Sequence, residues 1–412
     1  MNDISLIKVK QTFSHPFIRE IDIEIFKQLR RLRFSIRPGM SVAVTAGSRG
    51  INGIPLILRT IVKALRAMGA EPFIVSAMGS HGGGTITGQR HVLDHLGITE
   101  QSTETDIRIT SKAVEIGTTP SGHTLYLDAE AAKADAILLV NRIKPHTAFR
   151  DNLGSGLFKM LTVGLGKVPG AIQVHRLSSE GMYQAIVEMG RHALDKLAVI
   201  GGLAIIENGC EKTAGIEMLL PSEMESREME LLLYANSLLP RLPLRQLDIL
   251  IIEEMGKNFS GTGVDTNIIG RWKITGLPEP DSPRIARIIV LRLSAASDGN
   301  ANGLGLADLT TRKLVEAIDW NATLINAQTT GFWERAFCPP FPGSDRDALE
   351  WAFRGLEGKP YKEITVARIR NTLQIEELWL NETAFLQAEG CEKIGLPETL
   401  QFTNEGDLLP SK

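Results

Sequence analysis

The sequence predicts an α/β protein of two domains, each with a mainly parallel sheet flanked by helices and with the active site in the crevice between them. Three observations carry this expectation. Apolar strand-like runs alternate with stretches of helical period, the strands are apolar on both faces, and glycine loops follow them directly. A chain of 412 residues is long enough for more than one domain at roughly 100–200 residues each.

The first strand is Ser41–Ala46 (SVAVTA). From Ile54 the apolar residues Ile54, Ile57, Leu58, Ile61, Val62, Leu65 and Met68 keep helical spacing until Gly69. A second buried strand spans 72–77 (PFIVSA), followed by a loop over 78–85 and a helix carrying His91 and His95. The run AILLV at 136–140 is a third strand, and it empties into the polar loop NRIKPHTAFRDN. Strands are also expected at 203–207 and 249–253, with a helical stretch over 222–239 between them. Pro240 and Pro243 in LLPRLPLRQL punctuate the chain and divide it near residue 245, into 1–245 and 246–412. The second half reads as a strand at 285–291, a helix over 308–319, the loop FCPPFPGSD, and strands at 364–369 and 378–380.

Charge and cysteine content exclude several classes. Lys and Arg total 45 against 48 Asp and Glu, a net charge of −3, which gives no electrostatic footprint for nucleic acid or an anionic membrane. Cys210, Cys338 and Cys391 are far apart and lack CxxC spacing, so neither a disulfide framework nor a cysteine zinc site is expected. No apolar run is long enough to span a bilayer and the first residues lack a signal-peptide pattern, so a cytoplasmic location is expected.

Glycine stands out, at 39 residues, and its placement after strands matters more than its number. The loops are AGSRGINGI, MGSHGGGTITG, NLGSGLFK, VGLGKVPGA, NFSGTGVD and GNANGLGLAD. None forms GxxxxGK[ST], and none forms a GxGxxG placed as a dinucleotide site requires. Because ligands gather beyond the carboxyl ends of parallel strands, the side chains in these loops are the candidates. Arg49 in TAGSRG has the planar fork that suits a carboxylate or phosphate. His81 in MGSHGGGT sits among residues with almost no side chains, which leaves room for a ligand. His146 in KPHT lies in a loop stiffened by Pro145 and charged by Lys144. Lys159 falls in an apolar run where burial depresses its pKa and suits it to nucleophilic attack or covalent attachment, with Lys167 as its competitor. His175 ends an apolar stretch as either a core histidine or a metal ligand. His91 and His95 share a helix face but lack the glutamate of HExxH, and a helix-end role is the simpler reading. In the second half, a glycine-rich loop with Lys257, Asn258, Asp265 and Asn267 follows a strand, where it could close over the crevice.

Taken in order, AVTAGSRGI, SAMGSHGGGT, NRIKPHTAF, GLFKMLTVGLGK and VHR resemble the nickel-pincer-nucleotide lactate racemase family, in its branch of homologues with diverse substrates. The resemblance spans both domains. It implies an isomerase, a racemase or epimerase of a 2-hydroxy acid, with residues 1–245 binding the cofactor and 246–412 closing over the site. The implied cofactor is pyridinium-3,5-bisthiocarboxylate mononucleotide nickel, held covalently by Lys159, with His175 on the metal, which as square-planar Ni(II) suits an imidazole nitrogen. His81 and His146 would be the paired acid/base histidines, Arg49 and Lys257 the substrate-binding residues, and Ser48, Gly82 and Gly83 further cofactor contacts. A hydride would leave Cα of the substrate and return to its other face while a histidine holds the hydroxyl proton. The implied partners are the small 2-hydroxy acid and the enzymes that build the cofactor.

Three departures from the family pattern stand out. The family carries an aspartate three positions before the arginine, where Ala46 stands here, and bulkier residues around the first histidine, where this chain has glycines. The path RDNLGSGLF from His146 to Lys159 is also longer than in the lactate enzymes. A 2-hydroxy acid other than lactate is therefore expected, larger ones included. The alternatives are an oxidoreductase or dehydratase on the same scaffold and a non-catalytic nucleotide- or nickel-binding protein.

Overall fold

The computed structural model describes residues 4–13, 15–146, 151–177, 179–275, 277–356 and 358–410. The chain forms two compact units, one of Ser14–Leu239 and one of Met1–Phe13 with Pro240–Lys412. The chain crosses between the units at 239/240, beside Pro240, and the division expected from the sequence is near residue 245. Residues 1–13 join the second unit because strand β1 (Ser5–Gln11) pairs antiparallel with strands from the chain's C-terminal end.

The unit Ser14–Leu239 holds, in chain order, α1 (Ile21–Leu29), β2 (Ser41–Ala46), α2 (Ile54–Ala67), β3 (Glu71–Ser76), α3 (Ile86–His95), α4 (Glu100–Thr103), β4 (Ile107–Arg108), β5 (Ala113–Thr118), β6 (Thr124–Asp128), β7 (Ala136–Arg142), α5 (Leu157–Lys159), α6 (Lys167–His175), α7 (Ser179–Lys196), β8 (Val199–Glu207), β9 (Thr213–Leu219) and α8 (Met224–Ser237). Its main sheet runs β4-β3-β2-β7-β8-β9. All neighbours are parallel except β8 and β9. Val42, Val44, Leu138 and Val140 face one layer, where they pack with Ile57, Ile61 and Leu65 of α2. The alternate residues Ala43, Thr45, Ile137 and Leu139 are buried as well, so the sheet is covered on both sides, as its unbroken apolar strands require. Gly53 enters α2 at φ +67°, with Pro55 in the first turn where a missing N–H is harmless.

The other unit holds β1, β10 (Gln246–Met255), α9 (Thr266–Ile269), β11 (Arg284–Leu293), α10 (Arg312–Glu316), α11 (Trp320–Thr330), α12 (Asp345–Arg354), β12 (Val366–Ile369), β13 (Glu377–Leu380), α13 (Glu382–Phe385) and β14 (Cys391–Thr399). The sheet order is β11-β10-β12-β13-β1-β14. Strands β11, β10 and β12 are parallel, and the remaining pairs are antiparallel. The helix expected over 308–319 is shorter than its pattern. Leu309 bridges to Ile289, and the hydroxyls of Thr310 and Thr311 donate to Val290 O and Leu291 O, each at 2.8 Å. These bonds hold 309–311 extended beside β11, so helix begins only after Thr311, whose side chain caps α10.

Strands β1, β9 and β14 and the β5–β6 hairpin are additions to the elements expected from sequence. None of the three cysteines is in a disulfide. Among the described residues no helix is long and apolar enough to cross a membrane.

Candidate active site at the strand ends of the first unit

Arg49 and Ser48 lie in the loop between β2 and α2. Ser48 Oγ is hydrogen-bonded to His81 Nδ1, which ties the loop after β2 to the loop after β3 and leaves Nε2 as the ring nitrogen that Ser48 does not engage. The contact gives Ser48 a partner that sequence did not supply. Arg49 keeps surface open to solvent, yet desolvation lowers its guanidinium from the ordinary value and the charge of Arg142 adds to the effect. Arg142 ends β7 and pairs with Glu207 at the end of β8, and Glu207 also accepts from Asn52 N at 2.6 Å.

His81 is exposed at the start of the triple glycine. Gly82, Gly83 and Gly84 all have φ between +63° and +67°, a region that disfavours any side chain. A Cβ on Gly82 would meet the Gly88 carbonyl carbon, and one on Gly84 would meet Val168, whereas one on Gly83 would meet nothing within 4 Å. Backbone conformation thus calls for glycine at all three positions, close packing does so again at Gly82 and Gly84, and only Gly83 borders open space.

His146 and Lys159 are brought together by a closed loop. Lys144 and Ser155 bridge in antiparallel fashion, with N to O distances of 3.0 and 2.7 Å, which returns the chain to the end of β7 before α5 begins. Lys159 Nζ then stands 2.6 Å from His146 Nε2, and His146 is buried. After Lys159 the helix widens into a π-helical turn, Met160–Gly164, a form frequent at functional sites. Gly164 O accepts from Gly79 N at 3.0 Å. A Cβ on Gly79 would lie 3.1 Å from Val163 O, so small residues let the His81 loop lie directly against the turn that carries Lys159.

Burial, reinforced by the positive charge of Arg49, lowers Lys159 to about 8. Roughly a tenth of it is free amine at pH 7, against under about a thousandth for an ordinary lysine. His175, at the end of α6, is lowered to about 4 by burial and then by the charge of Lys159. Its Nδ1 is buried with no hydrogen-bond partner among the described residues. A neutral imidazole with an orphaned nitrogen can act as a metal ligand.

Lys167, the competitor, is committed elsewhere. Its side chain is 1% exposed and lies 3.1 Å from Asp128, which is fully buried. Nζ also donates to Ser76 O at 2.8 Å and to Gln89 Oε1 at 2.6 Å. Burial pushes the ammonium down and the carboxyl up, each opposed by its partner. The network ties the ends of β3 and β6 to α3 and α6, a structural role.

His91 and His95 are exposed on α3. Lys257, in the other unit, donates from Nζ to Gly261 O at 2.6 Å and from its backbone N to Ser297 Oγ at 2.9 Å. Asn258 accepts from Ser294 Oγ, and Asp265 caps α9. These residues are engaged in holding their own loop.

The arrangement brings a guanidinium, two histidines, an amine of lowered pKa and a buried neutral imidazole to the strand-end loops of the main sheet. Residues 28–177 match the family model of the lactate racemase N-terminal domain. Arg49, His81, His146, Lys159 and His175 all fall within that span. The whole chain is similar to the structure of the lactate racemase apoprotein from Thermoanaerobacterium thermosaccharolyticum, at 13% identity and a TM-score of 0.51, over 90% of this chain and 99% of that one. Residues 28–177 are thus similar to a lactate racemase N-terminal domain, and the chain as a whole shares the fold of that apoprotein. No curated protein matches it.

Proposed function

We propose that the protein is an isomerase that racemises or epimerises a 2-hydroxy acid with a nickel-pincer nucleotide cofactor. The observation that carries the reading is the surroundings of Lys159: an amine lowered to about 8, 2.6 Å from His146 Nε2, and close enough to His175 to help lower that ring to about 4. The residues present fit such a group. Lys159 would hold it covalently, and the orphaned Nδ1 of His175 is a donor atom for nickel. When bound, the cofactor supplies the acceptor for the Cα hydrogen and its electron pair.

The chain's own residues do the rest. Arg49 holds the substrate carboxylate. His81, oriented through Nδ1 by Ser48, presents Nε2 to take the hydroxyl proton from one enantiomer and return it. His146 does the same for the other. Acylation of Lys159 removes the positive charge beside His146.

The test is a panel of enantiopure 2-hydroxy acids deuterated at Cα, incubated with protein produced alongside the cofactor-building enzymes. Inversion without accumulation of a 2-oxo or unsaturated acid supports the proposal. Release of either product would favour the oxidoreductase or dehydratase, and binding without turnover would favour the non-catalytic alternative.

A further inference from the structure

A buried carboxyl lies beneath the turn that carries Lys159. Glu228, on α8, is fully buried. Its Oε2 accepts from Leu157 N at 3.0 Å and from Phe158 N at 3.1 Å, two amides of the first turn of α5 that have no partner within the helix. Its Oε1 is buried without a hydrogen-bond partner among the described residues. A Cβ on Gly156 would run into that oxygen, so glycine is needed there for the carboxyl to reach the turn. Asn141 Nδ2 donates to Gly156 O at 2.8 Å, and a Cβ on Gly202 would lie 2.6 Å from Leu157 Cδ1. The turn is therefore held by polar contacts and seated on β8.

We propose that Glu228 is a positioning residue for Lys159: it caps the turn that carries the lysine and fixes where the amine is presented. The charged and titratable groups around the amine itself are Arg49, His146 and His175, and Glu228 acts through the backbone one and two residues earlier. Burial pushes its carboxyl up to about 8, so near neutral pH it is largely protonated and glutamine is a close substitute. The inference rests on Lys159 being the functional amine.

The test uses the full-length, cofactor-free protein, treated at neutral pH with a limiting N-hydroxysuccinimide acetate. Acetylation of Lys159 is read by peptide mass spectrometry against the exposed Lys196. Losing the cap should change the Lys159 to Lys196 ratio by about fivefold or more in Glu228→Ala, the scale of two lost amide acceptors. Glu228→Gln keeps an acceptor oxygen and should restore the ratio to within about twofold of the parent protein. Leu232→Ala loosens α8 without touching the two amides, and it should leave the ratio unchanged. If Glu228→Ala does not fold, Gly156→Ala, which drives a methyl into Oε1, takes its place with the same expected displacement. A ratio in Glu228→Ala equal to that in Leu232→Ala, or no rescue by glutamine, overturns the proposal. Because no cofactor is involved, an absent cofactor adduct would count against the proposed function and leave this readout intact.

Discussion

Lys159 Nζ lies 2.6 Å from His146 Nε2, and this pair joins the two halves of the proposed chemistry, covalent attachment and proton transfer. The contact forms because the Lys144–Ser155 bridge closes the loop between them. Which of the two nitrogens donates follows from which of them carries the proton.

The low pKa of Lys159 is directly measurable. Acetylation of this residue in the cofactor-free protein should titrate with a midpoint near 8, well below the ~10.4 of an ordinary lysine. Arg49→Gln removes a positive charge that disfavours the ammonium, so the midpoint should rise. A midpoint near 10, or no response to Arg49→Gln, would refute the electrostatic description.

The two lysines of the glycine-rich stretch should part company in stability. Lys167→Met leaves Asp128 buried and unpaired and should cost about 3 kcal/mol in urea unfolding. Lys159→Met replaces a desolvated amine by an apolar side chain and should be neutral or stabilising. Equal losses would show that the assignment of one structural and one functional lysine is wrong.

Glu228 should leave a signature in the pH dependence of stability. Its folded pKa of about 8 lies above the unfolded value of ~4.3, so the folded chain retains a proton that the unfolded chain has released. Stability should fall as pH rises from about 5 to about 8, with a slope of up to about 1.4 kcal/mol per pH unit from this group, and level off above. Glu228→Gln removes that slope. Parallel stability curves for the two proteins would contradict the assignment.

Ser48 and His81 should be kinetically linked. In holo-protein, His81→Ala should lower racemisation by about 10²- to 10⁴-fold, the usual contribution of a general acid/base. Ser48→Ala, which removes the bond to Nδ1, should cost about tenfold, on the scale of a lost hydrogen bond. The rate in the parent protein should fall on both the acid and alkaline sides. Full activity in His81→Ala would remove it from the mechanism.

Much of this was legible in the sequence where the local pattern and the fold agree. Ser41–Ala46 and the α2 stripe are read directly, because period and burial coincide there. The helix expected over 308–319 was broken by threonine hydroxyls that bond to β11, a tertiary contact that periodicity does not encode. Strand β14 is mostly exposed and carries no apolar alternation, so only its pairing with β1 defines it. At the candidate site, Arg49, His81, His146, Lys159 and His175 stand out in the sequence because each is a chemically distinctive residue in a glycine loop or apolar run. Glu228 was missed because MESREMELLLY looks like a charged surface helix. A signal was nevertheless present: Met224, Glu228, Leu231, Leu232 and Ala235 form one helical stripe, and all are buried. A carboxylate in phase with an apolar face is the mark of a buried partner.

The central claim is that Lys159 and His175 form the cofactor cradle. Its most direct test is intact-mass and nickel analysis of protein produced together with the cofactor-building enzymes. The parent protein should carry a covalent adduct and bound nickel. Lys159→Ala should lack the adduct, while His175→Ala should keep the adduct but lose most of the nickel. An unmodified parent mass under those conditions, or an adduct that persists in Lys159→Ala, would contradict the account.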